Sequence, residues 1–415
     1  LKNPNANCVK YGAILSTPAI SSGVSIQTEH FECHAAIYTA TVTPRNFNQQ
    51  LKRDRTARHY NVGFEGVCHQ DRETSFAAIM AAHKGVQLRT VEILNENDRL
   101  ITVKPATLYD ELAIDFEVAT NKQYHFAGLQ LLELFKSRGY TLSKMACEEF
   151  DKDSAREVKA IVKSRADTAL LQADFLTNEQ ATELENRDTL TSYQVAQLEA
   201  HQVRDANGLE VETPLQKEHV QAWDNGKLHS KNRLFNLLLT KPSDHLDHDE
   251  KELALHPNTA VRYRSATCEA LHHLLSSLGV DRHTGQGEFN AATAQQAYER
   301  LKASQQRHAL EVTKLARFNE PASYTTWVSR ILKRLGLKLK RRGRTNRTYW
   351  IDPSSWGAMV AIRDRKLALR SKRHTPESEF MDGLQGSSHF DIHSIYSSKC
   401  DLDHQQATLL ENGWL

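Results

Sequence analysis

A chain of 415 residues with 40% hydrophobic and 25% charged side chains is long enough to bury sizeable cores and to form about two to four domains. Its formal net charge of +2 assigns it to no class of partner, so the local placement of charge has to carry that reading. The six cysteines, at positions 8, 33, 68, 147, 268 and 400, form no C-x-x-C pair; no apolar run is long enough to span a membrane, and no signal peptide is visible. This argues against a zinc ribbon, a disulfide framework and a membrane partner, and predicts a soluble chain in a reducing cytoplasm.

Residues 1–66 read as half of an α/β domain. Val9–Leu15 and His34–Ala40 are apolar enough for buried parallel strands, and the Ser-, Thr- and Gly-rich stretch between them reads as a loop. Such a loop offers backbone N–H groups and hydroxyls to a phosphate. Thr43 and Pro44 open a helix that is expected to run towards Arg58, carrying Gln49, Arg53 and Arg55. The two arginines could reach one phosphate bidentately. His59–Phe64 is the returning strand.

Two of these stretches carry a family likeness. Thr17-Pro18-Ala19-Ile20-Ser21-Ser22-Gly23-Val24-Ser25 resembles motif V of superfamily 2 helicases, and Gln49-x-x-x-Arg53-x-Arg55 resembles motif VI. The variant is similar to that of herpesvirus-type origin-binding helicases and of plasmid or phage replication proteins of the primase–helicase type. The usual motif VI has Gly before the first Arg and its second Arg seven residues after the Gln. Here Lys52 and Thr56 hold those places, so the arginine finger is either Arg53 or Arg55. The likeness is specific over residues 10–60 and continues more weakly at Ala166–Ala173.

The resemblance implies a fold of α/β plus α class: the C-terminal part of a RecA-like helicase lobe, then helical accessory regions and a winged-helix domain. Arg53 or Arg55 would stabilise charge on the γ-phosphate of ATP, held with Mg2+ by an upstream RecA-like lobe, and Gln49 would orient water. Thr17, Ser21, Ser22, Gly23 and Ser25 would couple nucleotide state to a nucleic-acid backbone. The chain opens on Leu1 within a pattern and contains no G-x-x-x-x-G-K-[ST]. The expectation is therefore a C-terminal fragment of a replication helicase, inactive as an ATPase alone, with the upstream lobe, and with or without a primase domain, in the same protein.

From 67 to 149 the pattern is mostly helical. Phe76–His83 reads as a compact helix ending at Gly85, Leu108–Val118 and His125–Phe135 as two more, and Tyr140–Met145 as a strand. Residues 150–318 read as a helical region. Thr177-Asn-Glu-Gln180 is a capping box, and Thr191-Ser192 opens the following helix. Glu183, Glu185 and Asp188 have the spacing of a solvated face. His245, His248 and His256 are assigned to hydrophilic loops after Pro242 and not to a metal site, and one imidazole of His272-His273 is expected to line a core.

The segment 319–374 is the second informative one. Trp327, Val328, Ile331, Leu332 and Leu335 have helical spacing up to Gly336. Leu337–Arg342 then alternates apolar and basic residues, Gly343–Asn346 turns the chain, and Arg347–Ile351 returns. Helix, turn and basic hairpin describe a winged helix. Between Arg330 and Arg347 lie nine basic residues and no acidic one: Arg330, Lys333 and Arg334 on the helix, then Lys338, Lys340, Arg341, Arg342, Arg344 and Arg347 on the wing. That density predicts DNA as partner, duplex or origin, with single strands also open. Arg363–Arg373 adds a basic helical run, and residues 375–415 are expected to be a disordered tail. Two readings follow: a helicase fragment, or a non-enzymatic DNA-binding initiator or regulator acting through its winged helix.

Overall fold

The computed structural model describes residues 3–14, 25–65, 72–101, 107–144, 152–187, 190–255, 262–344 and 347–373. The chain falls into two compact units, Leu1–Arg363 and Asp364–Leu415. Of the second, the described part is the end of the last helix. The class is α/β plus α, with helices far outweighing strands.

The first element is a helix, α1 (Pro4–Cys8), with Pro4 in its first turn and the Asn3 side chain accepting from the Ala6 N–H. The strand expected at Val9–Leu15 is absent over residues 9–14, and Leu15 lies outside the described residues. A parallel pair follows: β1 (Ala35–Tyr38), α2 (Pro44–Leu51) and β2 (Asn61–Phe64), in register Ala35↔Asn61 to Tyr38↔Phe64. Thr43 caps α2, and its Phe47 packs with Tyr38 and with Ala127, Leu131 and Phe135 from further along the chain. This helix stops at Leu51, well short of Arg58. The residues after it are drawn into an extended pairing with Ile26, which competes with helical bonding.

Next come α3 (Phe76–Glu96), α4 (Leu108–Tyr124) and α5 (Ala127–Ser137). Gly85 does not end α3; the helix passes straight through it. A Cβ there would run into the His308 ring, so the glycine makes room for a packed side chain rather than breaking the helix. No strand forms over Tyr140–Lys144, and Met145 lies outside the described residues.

The remainder is helical up to the hairpin: α6 (Lys152–Gln172), α7 (Asn178–Glu185), α8 (Ser192–Asn207), α9 (Lys217–Trp223), α10 (Lys227–Leu239), a 3-10 turn at Pro242–His245, α11 (Leu246–Leu255), α12 (Ser265–Ser277), α13 (Ala291–Ala303), α14 (Gln306–Val312) and α15 (Tyr324–Arg334). Then β3 (Leu339–Arg342) and β4 (Thr348–Ile351) form an antiparallel pair, and α16 (Pro353–Arg373) closes the described chain. Reciprocal capping boxes start α7 at Thr177/Gln180 and α8 at Thr191/Gln194, as their sequences predict.

One large core runs from Ala82 of α3 to Ile362 of α16. Its centre is α12, whose Leu271, Leu274 and Leu275 are fully buried; each is worth about 2 kcal/mol of transfer free energy. The α12 N-terminus has no side-chain cap of its own at Arg264. Asp249 of α11 supplies it from a distance, accepting from the backbone N–H of Arg264 at 2.9 Å and of Ser265 at 2.8 Å, and from the Ser265 hydroxyl at 2.6 Å. Of the neighbouring histidines expected in loops, His245 and His248 lie on helical elements, and His256 lies outside the described residues. His245 ends the 3-10 turn and meets the Thr240 hydroxyl at 2.7 Å, while His248 lies in α11 beside Asp249.

Candidate nucleic-acid interface

Ser323 caps α15 by accepting from the Thr326 N–H. From there the helix buries Trp327, Val328, Ile331 and Leu332. Helical spacing then leaves Arg330, Lys333 and Arg334 exposed. Gly336, at φ +81°, turns the chain under Met359, and Gly343, at φ +83°, makes the hairpin bend. In the hairpin Leu339 pairs with Ile351, Lys340 with Trp350, Arg341 with Tyr349 and Arg342 with Thr348. Ile351 is buried and Leu339 packs on the large core. Tyr349 stacks on Phe289 at a centroid distance of 5.9 Å. Phe289 also exchanges both backbone hydrogen bonds with Tyr349, at 2.9 and 2.8 Å, and so adds a single-residue third strand to β4.

The nine cations do not all stand alike. Lys340 pairs with Asp352 at 3.0 Å and Arg342 with Glu288 at 2.9 Å. The hydrogen bond from Lys340 holds the Asp352 carboxyl below the usual aspartate range, against a smaller opposing effect of burial, with Ser354 adding to the lowering. Both pairs are solvent-exposed on the cation side and contribute little to stability, but each sets a negative charge against its cation. Seven of the nine remain without an acidic partner among the described residues: Arg330, Lys333, Arg334, Lys338, Arg341, Arg344 and Arg347.

A further arginine, Arg317, lies against α15 from outside the run. The Trp327 indole donates to the Arg317 carbonyl at 2.9 Å, fixing the Arg317 backbone against α15. Burial lowers the Arg317 pKa, and repulsion from Arg334 and Arg330 lowers it further. Arg317 escapes sequence reading because Asn319 and Glu320 follow it, and only the indole contact places it.

At the other end of the chain the two helicase-like stretches meet. The Ile26 N–H donates to the Arg53 carbonyl at 2.7 Å, and the Arg55 N–H donates to the Ile26 carbonyl at 2.9 Å. Ser25, the last residue of the first motif, therefore stands beside the arginines of the second, its hydroxyl buried and without a hydrogen bond among the described residues. Arg53 and Arg55 are on this extended segment and not on the helix that carries Gln49, which is exposed near the end of α2. Thr17, Ser21, Ser22 and Gly23 lie outside the described residues.

Asp54, between the arginines, organises the segment. It is buried, meets His34 Nε2 at 2.9 Å and accepts from the Thr56 N–H at 2.8 Å and the Thr56 hydroxyl at 2.5 Å. Burial alone would raise its pKa, but the bonds from Thr56 and His34 outweigh this and hold it below the ordinary aspartate value. The sign follows: a carboxylate with a depressed folded pKa stabilises above its unfolded pKa, and the benefit is lost as pH falls through the folded one. Asp54→Asn is expected to lower stability by about 1–2 kcal/mol at pH 7 and by progressively less as the pH is taken below the ordinary aspartate range, measured as thermal midpoints over an acid pH series. A pH-independent difference would show that the charge on Asp54 is immaterial.

Among the described residues no group of three or more His, Cys, Asp or Glu side chains is placed to hold a metal ion, and no helix is long and apolar enough to cross a membrane. No family model, curated protein or solved structure matches the chain.

Proposed function

We propose that this chain binds DNA through α15 and the β3–β4 hairpin, as the DNA-holding part of an ATP-dependent replication helicase of the origin-binding or plasmid-replication type. The observation that carries the DNA reading is the set of seven cations between Arg330 and Arg347 with no acidic partner among the described residues. Charge of one sign kept at that density costs stability unless a polyanion neutralises it. The order α12, the Phe289 bridge, α13, α14, α15 and hairpin supports reading the region as a winged helix with one additional short helix, α15 in the groove and β3–β4 as the wing. Duplex binding followed by anisotropy over a salt series tests it.

The motor part of the proposal rests on the strand-like pairing of Ser25–Ile26 with Arg53–Arg55. It brings a hydroxyl and two guanidiniums to one edge, where Arg53 or Arg55 would reach the γ-phosphate of an ATP and its Mg2+ held by a lobe outside this chain. A second reading, a DNA-binding initiator without ATPase activity, is favoured by the small size of the α/β part, in which two strands pair among the described residues. Arg53→Ala and Arg55→Ala in a protein extended upstream separate the two. The motor reading expects ATP turnover to fall about a thousandfold for the finger residue. Unchanged turnover in both variants would favour the initiator.

A further inference from the structure

The hairpin has two faces, and the outer one has a partly exposed aromatic residue outside the large core. Strand alternation sends Leu339, Tyr349 and Ile351 towards the core and Phe289. Lys340, Arg342, Thr348 and Trp350 therefore share the opposite face, with Trp350 directly across from Lys340 and diagonal to Arg342. Trp350 is half-buried, is not packed against the large core, and makes no hydrogen bond or ring contact among the described residues. This separates it from Trp223, Trp327 and Trp356, which are all buried. An indole left partly exposed on a strand face offers ring surface and an N–H to an incoming partner.

The two cations beside the indole are held in place. Lys340 pairs with Asp352 and Arg342 with Glu288, on the face of the hairpin that also has Trp350. An aromatic platform between fixed cations, next to a strip of phosphate-seeking arginines, has the chemistry of a base-stacking site on a single strand. Duplex DNA buries its base faces within its own stack and would offer only its edges and phosphates.

Resting on the DNA reading above, we propose that Trp350 stacks an unpaired nucleobase, so that the outer face of the hairpin holds single-stranded nucleic acid while Arg344 and Arg347, beside the hairpin bend, hold phosphates. The surface would thus serve a junction between paired and unpaired strands.

The test uses the whole chain, a labelled thymidine 20-mer and a labelled duplex of the same length. Trp350→Ala is expected to weaken binding to the thymidine strand by roughly fivefold to a hundredfold while changing duplex binding by less than about twofold. The parent should show quenching of tryptophan emission on adding the thymidine strand. Trp350→Phe, which keeps a ring and the fold, should bind nearly as tightly and lose most of that quench. Unchanged single-strand affinity in Trp350→Ala, or a quench that persists in Trp350→Phe, would overturn the stacking proposal and leave the duplex reading standing. If the parent binds neither probe at low salt, the DNA reading itself falls, and the indole face belongs to a protein partner instead.

Discussion

In 50 mM salt this chain is expected to bind a labelled duplex, and at 200 mM salt the affinity should be lower by between about a hundredfold and several thousandfold. The figure follows from counterion release: each phosphate neutralised on duplex DNA contributes about −0.9 to the slope of log affinity against log salt. Between about four and seven of the unpartnered cations of α15 and the hairpin in contact give a slope of roughly −4 to −6, over a fourfold change in salt. Arg341→Glu with Arg344→Glu should then weaken binding at least about a hundredfold and reduce the slope by about two, because two phosphate contacts are replaced by repulsion. These two positions are chosen because both are exposed and neither has an acidic partner among the described residues, so the thermal midpoint should hold. Arg342 would be a poorer choice: its reversal would set a carboxylate against Glu288 and disturb the hairpin as well as the DNA. A double variant that binds duplex as tightly as the parent would remove the basis for the DNA reading.

The largest loss of stability is expected from Asp249→Ala, about 3–5 kcal/mol, read as a fall in the urea midpoint with an unchanged slope. Asp249 is completely buried, and its carboxylate receives the first N–H groups of α12 and the Ser265 hydroxyl. Alanine would leave those donors without an acceptor in a dry environment and remove a negative charge from the positive end of the helix. Because α12 is the centre of the large core, fraying its start also loosens Leu271 and its neighbours. Asp249→Asn should lose less, since an amide oxygen still accepts one bond. A loss below about 1 kcal/mol in the alanine variant would mean that water or another group takes over the cap.

What could be read from the sequence was the local chemistry. The capping boxes at Thr177 and Thr191 and the apolar spacing of Trp327, Val328, Ile331 and Leu332 depend only on residues a few places apart, and they lie where expected. What failed depended on distant partners. Gly85 looks like a stop because the ring that fills its place comes from His308. Arg53 and Arg55 look helical because the competing bonds come from Ile26. The nine cations of α15 and the hairpin look alike until Glu288 and Asp352 are seen to engage two of them. Trp350 reads as one more strand residue until the register shows which face it shares. These non-local terms come from the folded chain.

The single-residue strand at Phe289 also decides how the molecule can be dissected. A fragment starting near residue 319 would contain α15 and the whole hairpin, yet it would strip the main-chain partner from Tyr349 and the stacked ring from its side chain. The freed edge of β4 would present an unpaired N–H and C=O next to an uncovered aromatic, the configuration that recruits a second copy edge to edge. A minimal piece that stays monomeric therefore has to begin upstream of Glu288, and because Phe289 sits just past the end of α12, the sensible cut lies before Ser265.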